Sequence, residues 1–367
     1  MARILPFRTE PAFTHGQPAL TGILWCNLGT PDAPTAPAVR RYLREFLSDP
    51  RVVEIPRLAW LPLLHGIILP LRASRSAAKY TSIWTPQGSP LAVHTEAQAR
   101  LLEQDLAARG HRVLVRHAMR YGAPSIASQL DALKAAGANR VLVLPAYPQY
   151  SGTTTASLFD AVSEWASRTR SLPEIRWVNR YHDDAGYIEA LARSIERHWQ
   201  AHGRADHLVM SFHGVPERTL TLGDPYHCEC RKTGRLLAER LGLLPTDWTL
   251  TFQSRFGRAK WLEPYTEPTL QALARRGVGR VDVTCPGFTS DCLETLEEIG
   301  MEGREAFLKA GGRQYHAIAC VNEDAEWIDA LASLAEQHLQ GWPSREPMDE
   351  PLQEASRERA VASGAAR

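Results

Sequence analysis

Short apolar segments alternate with longer amphipathic segments along the chain from about residue 20 to residue 340. The apolar segments end in glycine, proline or polar residues, which is typical of buried parallel strands. The amphipathic segments between them have the periodicity of helices. Because a parallel strand pair needs a crossover of a dozen or more residues, this alternation predicts an α/β fold with parallel sheets.

The pattern divides into two similar units of four strands each. We predict strands at 21–29, 112–119, 140–147 and 175–181 in the first unit, and at 208–212, 249–253, 280–284 and 314–319 in the second. The predicted organisation is a flexible arm at 1–19, an N-terminal domain at 20–182, a C-terminal domain at 183–340 and a disordered tail at 341–367. Two parallel-sheet domains in one chain predict a ligand cleft between them.

The composition excludes several classes of protein. With a formal net charge of +1, the chain has no overall field that would recruit nucleic acid or an acidic membrane. Six cysteines among 367 residues are too few for a disulfide scaffold. The first residues lack the sustained apolar core of a signal peptide, so we expect a cytoplasmic protein with reduced thiols.

Residues 55–71 do not fit the alternation of strands and helices. The segment is rich in large apolar residues but contains three prolines, which oppose a regular core helix. It is shorter than the roughly 20 apolar residues that span a bilayer. Two interpretations remain: a piece of the core, or an apolar lip beside a pocket that also contacts a membrane surface.

His213 follows an apolar strand directly and is followed by Gly214 and Pro216, which end the strand. In open α/β sheets, ligands bind at the carboxyl ends of the strands. A histidine at this position has either a structural hydrogen bond or a chemical role. The residues further along the chain favour the chemical role.

A second strand, at 280–284, leads through a Pro-Gly turn into a predicted helix at 292–309. Asp291, Glu294 and Glu298 are spaced so that they share one face of a helix. Acids in a first helical turn commonly only complement the helix dipole. Here they begin at the same sheet edge as His213, and an imidazole facing a carboxylate can bind a divalent cation or transfer protons near neutral pH.

Several linked motifs resemble those of the ferrochelatase family. They are SFHGVP at 211–216, GDPY at 223–226, FQSRFG at 252–257, WLEPYT at 261–266, and the segment 285–299. The resemblance extends from about Gly22 to Leu339. It implies insertion of Fe(II) into protoporphyrin in the last step of haem synthesis. It also implies a chelatase-like fold of two Rossmann-like domains, each a four-stranded parallel sheet flanked by helices.

The resemblance also implies roles for individual residues. His213 and Glu294 match the family's active-site histidine and the glutamate that faces it, which bind the metal and remove protons. The division of these two tasks stays open. Asp291 and Glu298 would extend an acidic path for metal entry or proton exit. The porphyrin would lie against Leu28, Arg72, Tyr80, Ser89, Arg120 and the loop that contains Tyr150, and segment 55–71 would form the hydrophobic lip.

No cofactor is expected beyond the substrate Fe(II). Some relatives hold a two-iron cluster on four cysteines, but here no cysteine follows Cys320, so we predict that the cluster is absent. Protoporphyrin and Fe(II) are the predicted partners, without nucleic acid or an obligate protein partner. Through residues 55–71, the cytoplasmic protein would contact the inner face of the membrane.

Two alternative functions remain. One is a related chelatase that acts on coproporphyrin or inserts cobalt, which substrate comparison would distinguish. The other is a non-catalytic carrier of porphyrin or metal, which would bind porphyrin without inserting iron. The presence of both His213 and Glu294 disfavours a carrier, because a carrier needs a pocket but no proton acceptor.

Overall fold

Two four-stranded parallel sheets form the framework, and both have the same strand order. The computed structural model describes residues 7–12, 15–17, 20–257, 259–345 and 350–365. The first sheet, in the order β2-β1-β3-β4, consists of β1 (Leu20–Gly29), β2 (Val113–Tyr121), β3 (Ala138–Pro145) and β4 (Glu174–Trp177). The second, in the order β6-β5-β7-β8, consists of β5 (His207–His213), β6 (Trp248–Gln253), β7 (Arg280–Thr284) and β8 (Gln314–Ala317). The predicted α/β fold is confirmed.

Helices cover both faces of the sheets. In the first half they are α1 (Ala36–Leu47), α2 (Arg57–Leu63), α3 (Leu69–Ile83), α4 (Pro90–Ala108), α5 (Ile126–Ala135) and α6 (Ser157–Ala166). The remaining helices are α7 (Ala185–His202), α8 (Glu217–Thr221), α9 (Tyr226–Arg240), α10 (Thr266–Arg275), α11 (Arg304–Lys309), α12 (Ala325–Leu339) and α13 (Glu350–Ala362). Three segments are π-helices, namely Leu64–Ile68, Gly152–Ala156 and Glu294–Gly303.

The strand order determines where a ligand can bind. The chain leaves β1 towards β2 on one side and later returns to β3 on the other side, so a crevice forms at the carboxyl ends of β1 and β3. The same reversal occurs between β5 and β7 in the second sheet. His213 is the last residue of β5 and therefore lies at such a reversal point.

The largest buried hydrophobic cluster is shared by the two halves, and each half has a further cluster of its own on the other face of its sheet. Ile23 and Trp25 of β1 belong to the same buried cluster as Phe212 of β5 and Leu331 of α12. The rings of Trp25 and Trp327 lie 6.3 Å apart between their centroids. Helix α12 therefore packs against the first half of the chain as well as the second.

A buried amide joins the two halves. The Gln98 side chain on α4 is fully buried, and its Nε2 donates hydrogen bonds to the carbonyl oxygens of Thr289 (2.7 Å) and Asn322 (2.8 Å). Its Oε1 accepts hydrogen bonds from Trp25 Nε1 and Ser290 Oγ, both at 3.1 Å. Every hydrogen-bonding group of the amide is thus used, and three of its four hydrogen bonds cross the boundary between the halves.

Residues 55–71 are more regular than their prolines suggested. They form α2, a π-helical turn and the beginning of α3. Pro70 lies in the first turn of α3, where a missing N–H is tolerated, and the wider π-helical turn comes directly before it. Trp60 is buried, whereas Leu58 is 94% and Leu71 63% exposed. The segment therefore contributes to the core on one side and exposes an apolar surface on the other.

The two ends of the chain differ from the predicted loose arm and disordered tail. The Arg8 amide donates to the Arg168 carbonyl (2.8 Å), and the Arg8 side chain pairs with Asp131. Residues 1–6, 13–14 and 18–19 of the predicted arm and residues 346–349 and 366–367 of the predicted tail lie outside the described part of the chain. In the tail, α13 forms because alanine, glutamate and arginine are strong helix formers. The predicted limits between the domains stay predictions.

Candidate active site

The position and protonation of His213 follow from its neighbours. The Nδ1 atom lies 2.6 Å from the Gly214 carbonyl oxygen. Because a carbonyl can only accept, Nδ1 carries the hydrogen, and Nε2 of the neutral ring has a lone pair. Tyr226 donates its hydroxyl hydrogen to the His213 carbonyl oxygen at 3.0 Å and so supports the backbone. The Nε2 atom can therefore accept a proton or bind a metal ion.

Gln253 connects the strand next to His213 with the acidic segment. It lies opposite His213 in the register of β5 and β6. Its Nε2 donates to the Glu294 carbonyl oxygen (2.9 Å), and its Oε1 accepts from Ser211 Oγ (2.7 Å). Sequence reasoning did not single out Gln253, although its position at the carboxyl end of β6 was a usable signal.

The acidic segment is not the single α-helix that we predicted for 292–309. It is the π-helix Glu294–Gly303 followed by α11. Glu298 accepts hydrogen bonds from the backbone amide (2.6 Å) and the hydroxyl group of Ser254. Ser254 has φ +64°, which turns its amide and side chain towards the same carboxylate. The π-helix is rare in proteins and often occurs at functional sites.

His213, Glu294 and Glu298 form one electrostatic cluster. Burial raises the pKa of the Glu298 carboxyl group, and the negative charge of Glu294 raises it further. Hydrogen bonds from Ser254 and the charge of His213 oppose this rise. Glu298 therefore holds a proton more readily than an ordinary glutamate, as a proton acceptor near neutral pH must.

Two tyrosines of the N-terminal half approach Glu294. Burial raises the pKa values of Tyr42 and Tyr80 well above the ordinary value, and the charge of Glu294 adds to the effect. Their rings meet edge to face, with 6.5 Å between centroids. Tyr80 was among the predicted porphyrin residues, whereas Tyr42 was missed, because nothing distinguishes it in the sequence from a core residue of α1.

Asp291 has a different environment from the two glutamates. It lies before the π-helix, so the predicted helical stripe does not form. Its carboxylate oxygens accept hydrogen bonds from Thr295 Oγ1 (2.8 Å), Asn322 Nδ2 (2.7 Å) and the Cys320 amide (3.3 Å). These contacts fix the loop after β7. A role of Asp291 in a metal or proton path stays a prediction.

The remaining predicted porphyrin residues are spread over several environments. Leu28 is half-buried near the carboxyl end of β1, and Ser89 accepts a hydrogen bond from Thr30 Oγ1 at 2.7 Å. The Arg72 guanidinium lies 4.1 Å from the ring centroid of Phe256. Arg72 and Phe256 therefore connect the lip to the loop that follows β6.

Tyr150 lies in a loop that is held by contacts with α9 and with Arg180. Its amide donates to Glu229 Oε2 (2.7 Å), and the Arg180 guanidinium lies 5.3 Å from its ring centroid. The Arg180 side chain also pairs with Glu229. These contacts tie the loop to α9. Of the predicted site residues, only Arg120 lines the cavity described next, and neither His213 and Glu294 nor the other predicted porphyrin residues do.

A cavity of about 750 Å³ lies between α1, α2 and the carboxyl end of β2. Its volume is within the range of small-molecule sites. Arg120 lines it and is held by Asp49 Oδ2 at 2.6 Å and by the Ser157 carbonyl at 2.9 Å. Tyr42 lines the same cavity, and its electrostatic contact with Glu294 links the cavity to the cluster around His213.

Arginines and acids both line the cavity, and Arg41 and Arg120 are paired with Asp32 and Asp49. Arg44 and Arg57 both line it and form no ion pair with any residue that the structure describes. Leu61 and His65 of the lip complete the wall on that side. The cavity therefore combines apolar surface with cations suited to carboxylate groups.

Comparisons with known proteins show which family the chain is similar to. Residues 20–339 match the model of the family described as ferrochelatase. A ferrochelatase of Polaromonas sp. is 65% identical over 99% of this chain and 100% of its own length. A ferrochelatase of Methylibium petroleiphilum is also 65% identical, over 97% of this chain and 98% of its own length.

Solved structures support the fold independently. SirB from Bacillus subtilis with Fe3+ is 13% identical, covers 90% of this chain and 100% of its own, and gives a TM-score of 0.52. A sirohydrochlorin chelatase SirB from the subspecies spizizenii in complex with cobalt gives 0.51 at 11% identity, over the same shares of the two chains. The chain therefore belongs to the ferrochelatase family, the metal chelatases (lyases) that insert iron into porphyrin in haem biosynthesis.

Proposed function

We propose that the porphyrin substrate is protoporphyrin and that His213, Glu294 and Glu298 carry out the reaction. Metallation replaces two pyrrole N–H protons by one Fe(II), so two protons must leave the macrocycle. The observation that supports this assignment is the contact of His213 Nδ1 with the Gly214 carbonyl oxygen, which leaves Nε2 without that contact at the same sheet end as two glutamates.

Each group has a task in this proposal. His213 Nε2 accepts a pyrrole proton, and Glu294 is the first protein ligand of the incoming Fe(II). Glu298, whose pKa is raised by burial, receives a proton and passes it on. Binding energy from the apolar ring bends the macrocycle so that its nitrogen lone pairs face the metal. Asp291 lies at the start of the path along which metal or protons move.

The two unpaired arginines of the cavity support protoporphyrin as the substrate, with Arg72 assigned to the ring, because its guanidinium stacks on Phe256. Protoporphyrin carries two propionates, whereas coproporphyrin carries four. Arg44 and Arg57 are the two cavity arginines without an ion pair among the described residues. Leu28, Arg72, Tyr80 and Ser89 would form further walls around the ring, in line with the family resemblance, and Arg120 would close the cavity side.

Replacement of His213 tests the catalytic assignment. We expect His213→Ala to abolish anaerobic Fe(II) insertion while porphyrin still quenches tryptophan fluorescence, because the pocket is unchanged. His338→Ala, at a half-buried histidine of α12, is the matched control and should retain full turnover. Unchanged turnover of His213→Ala would contradict the assignment, and wild-type protein that binds porphyrin without metallating it would identify a carrier.

Substrate competition tests the choice of porphyrin. With purified wild-type protein, we expect a higher kcat/KM for protoporphyrin than for coproporphyrin. The double substitution Arg44→Gln, Arg57→Gln should raise KM for protoporphyrin with little change in kcat, because the arginines bind carboxylates away from the reacting nitrogens. A preference for coproporphyrin would favour the related chelatase instead.

We also propose that the lip contacts the inner face of the cytoplasmic membrane. Leu58, Ile67 and Leu71 expose large apolar side chains, with Leu58 94% exposed. None of the helices in the described part of the chain is long and apolar enough to cross a bilayer. We expect co-flotation with anionic phosphatidylglycerol vesicles, and its loss in Leu58→Glu, Leu71→Glu. Equal flotation of this variant would contradict the contact.

The proposal includes no iron–sulfur cluster. Burial raises the pKa values of the Cys285, Cys292 and Cys320 thiols, which favours their protonated form over the thiolate that ligates iron. Protein purified without air should therefore show no visible absorbance from a cluster. Stoichiometric iron and sulfide with a visible absorption band would contradict this part of the proposal.

A further inference from the structure

A second group of metal-ligating side chains lies between α7 and the C-terminal sheet. We call it the α7 cluster, and it consists of His198, Asp282 and His316. Asp282 in β7 and His316 in β8 face each other in the strand register, so their side chains share one face of the sheet. His198 lies in the last two turns of α7, which packs on that face. His202, one helical turn further on, stacks on His198 with 4.5 Å between ring centroids.

The distances within the α7 cluster fit the coordination of a single ion. His316 Nδ1 lies 3.2 Å from Asp282 Oδ1, and His198 Nε2 lies 3.7 Å from Asp282 Oδ2. Two ligand atoms that bind one tetrahedral ion at about 2.1 Å are separated by about 3.4 Å. The two observed separations lie on either side of that value, and the three ligand atoms all lie within 4.8 Å of one another.

His198 has a nitrogen available for such an ion. Its Nε2 is buried and has no hydrogen-bond partner among the described residues. A buried polar atom without a partner normally destabilises the folded state, so an ion at this position would satisfy it. Burial also lowers the pKa of His198, which favours the neutral ring that metal ions require.

The residues around Asp282 orient its carboxylate. Trp199 Nε1 donates to Asp282 Oδ2 at 2.9 Å, the kind of outer hydrogen bond that supports metal-binding carboxylates. Arg280 also approaches Asp282 Oδ1, at 3.3 Å, but lies closer to the carbonyl oxygens of His202 and Gly203, both at 2.6 Å. Arg280 therefore forms an ion pair with Asp282 through Oδ1 and, at 3.4 Å, Oδ2, while its shorter bonds go to the negative carboxyl end of α7. In the proposed site the buried Asp282 carboxylate would be shared between this arginine and the metal ion.

We propose that His198, Asp282 and His316 bind one divalent transition-metal ion of borderline softness, for which Zn2+ and Co2+ are suitable probes. Two imidazoles and one carboxylate are a typical ligand set for such ions. The His316 side chain is 33% exposed and provides access from solvent. A bound ion would cross-link α7, β7 and β8, at residues that take no part in the proposed reaction with porphyrin.

Metal titration of a protein without its candidate active-site ligands tests this site. In the variant His213→Ala, Glu294→Gln, we expect one equivalent of Co2+ to bind and to show visible d–d absorption, and Zn2+ to displace it. Addition of His316→Ala should weaken binding by more than about 100-fold, and Trp199→Phe by about 10- to 100-fold. His338→Ala, which removes a histidine outside the cluster, should leave the affinity unchanged.

The readout does not depend on porphyrin metallation, so the site and the proposed function can fail separately. His316 is partly exposed, and circular dichroism of His316→Ala should confirm an intact fold before titration. If both proteins are folded, Zn2+ should raise the Tm of the variant His213→Ala, Glu294→Gln and leave the Tm unchanged when His316→Ala is added to it. The proposal would be overturned if the parent variant His213→Ala, Glu294→Gln bound no saturable equivalent of Co2+. It would also be overturned if Co2+ affinity were equal with and without the His316 side chain.

Discussion

Replacement of Gln98 by methionine is the most direct test of how the two halves are joined. Methionine has a similar size but cannot form the four hydrogen bonds of the amide, which involve Trp25, Thr289, Ser290 and Asn322. The Ser290 hydroxyl can rotate, and each carbonyl keeps a second lone pair, but the indole N–H of Trp25 has no substitute. An unsatisfied buried polar group costs about 1–3 kcal/mol. With the Trp25 N–H anywhere in that range and each of the two carbonyls at its low end, we expect Gln98→Met to lower the free energy of unfolding by about 3–5 kcal/mol.

Urea denaturation followed by tryptophan fluorescence measures this loss as a lower midpoint with an unchanged m-value. Gln337→Met, at an exposed position of α12, makes the same chemical change and should alter stability by no more than about 0.5 kcal/mol. A loss below about 1 kcal/mol for Gln98→Met, close to that of Gln337→Met, would refute the role of the buried amide.

Two further predictions concern carboxyl groups with shifted pKa values. Glu298→Gln should lower kcat by about 100-fold or more and remove the rise of the rate with pH that reflects loss of the Glu298 proton. Because the amide can still form hydrogen bonds with Ser254, Tm should stay unchanged. A pH–rate profile like that of the wild type would contradict this prediction. Asp49 has a pKa below its ordinary value, because hydrogen bonds from Ser157, the Arg51 amide and Tyr121 together with the Arg120 charge outweigh burial. Its contribution to stability is therefore present above about pH 4 and is lost as the pH falls through the lower pKa of the folded state. Asp49→Asn should destabilise the protein by about 2 kcal/mol at pH 7, and urea midpoints should show this difference shrinking below about pH 4; a constant difference down to pH 3 would argue against it.

The strands and the position of His213 could be predicted because local sequence determines them. The central strands β1, β3, β5 and β7 are largely buried runs rich in apolar residues, and His213 ends one of them. The helical structure of the lip was harder to predict, because the rules for proline assume an ideal α-helix. Pro62 lies inside α2 and Pro70 follows two residues after the π-helical turn, so neither proline ends the helical segment.

The parts that escaped prediction depend on partners distant in the sequence. Gln98 bonds to residues 191 and 224 positions away, and no local pattern indicates such contacts. The π-helix changed the environment of Asp291, which an α-helical spacing had placed on one stripe with Glu294 and Glu298. A helical wheel assumes a regular turn, and the wider turn invalidates that assumption where the site is built.

The shared core has a consequence for how a flat substrate enters. Trp25 and Trp327 pack together although one belongs to β1 and the other to α12, so the two sheets cannot swing apart as rigid lobes without exposing their common interior. We therefore expect no hinge-type opening between the two sheets. We expect the tetrapyrrole to enter and leave past the helical segment at 57–83, whose side chains Leu58, Ile67 and Leu71 are exposed.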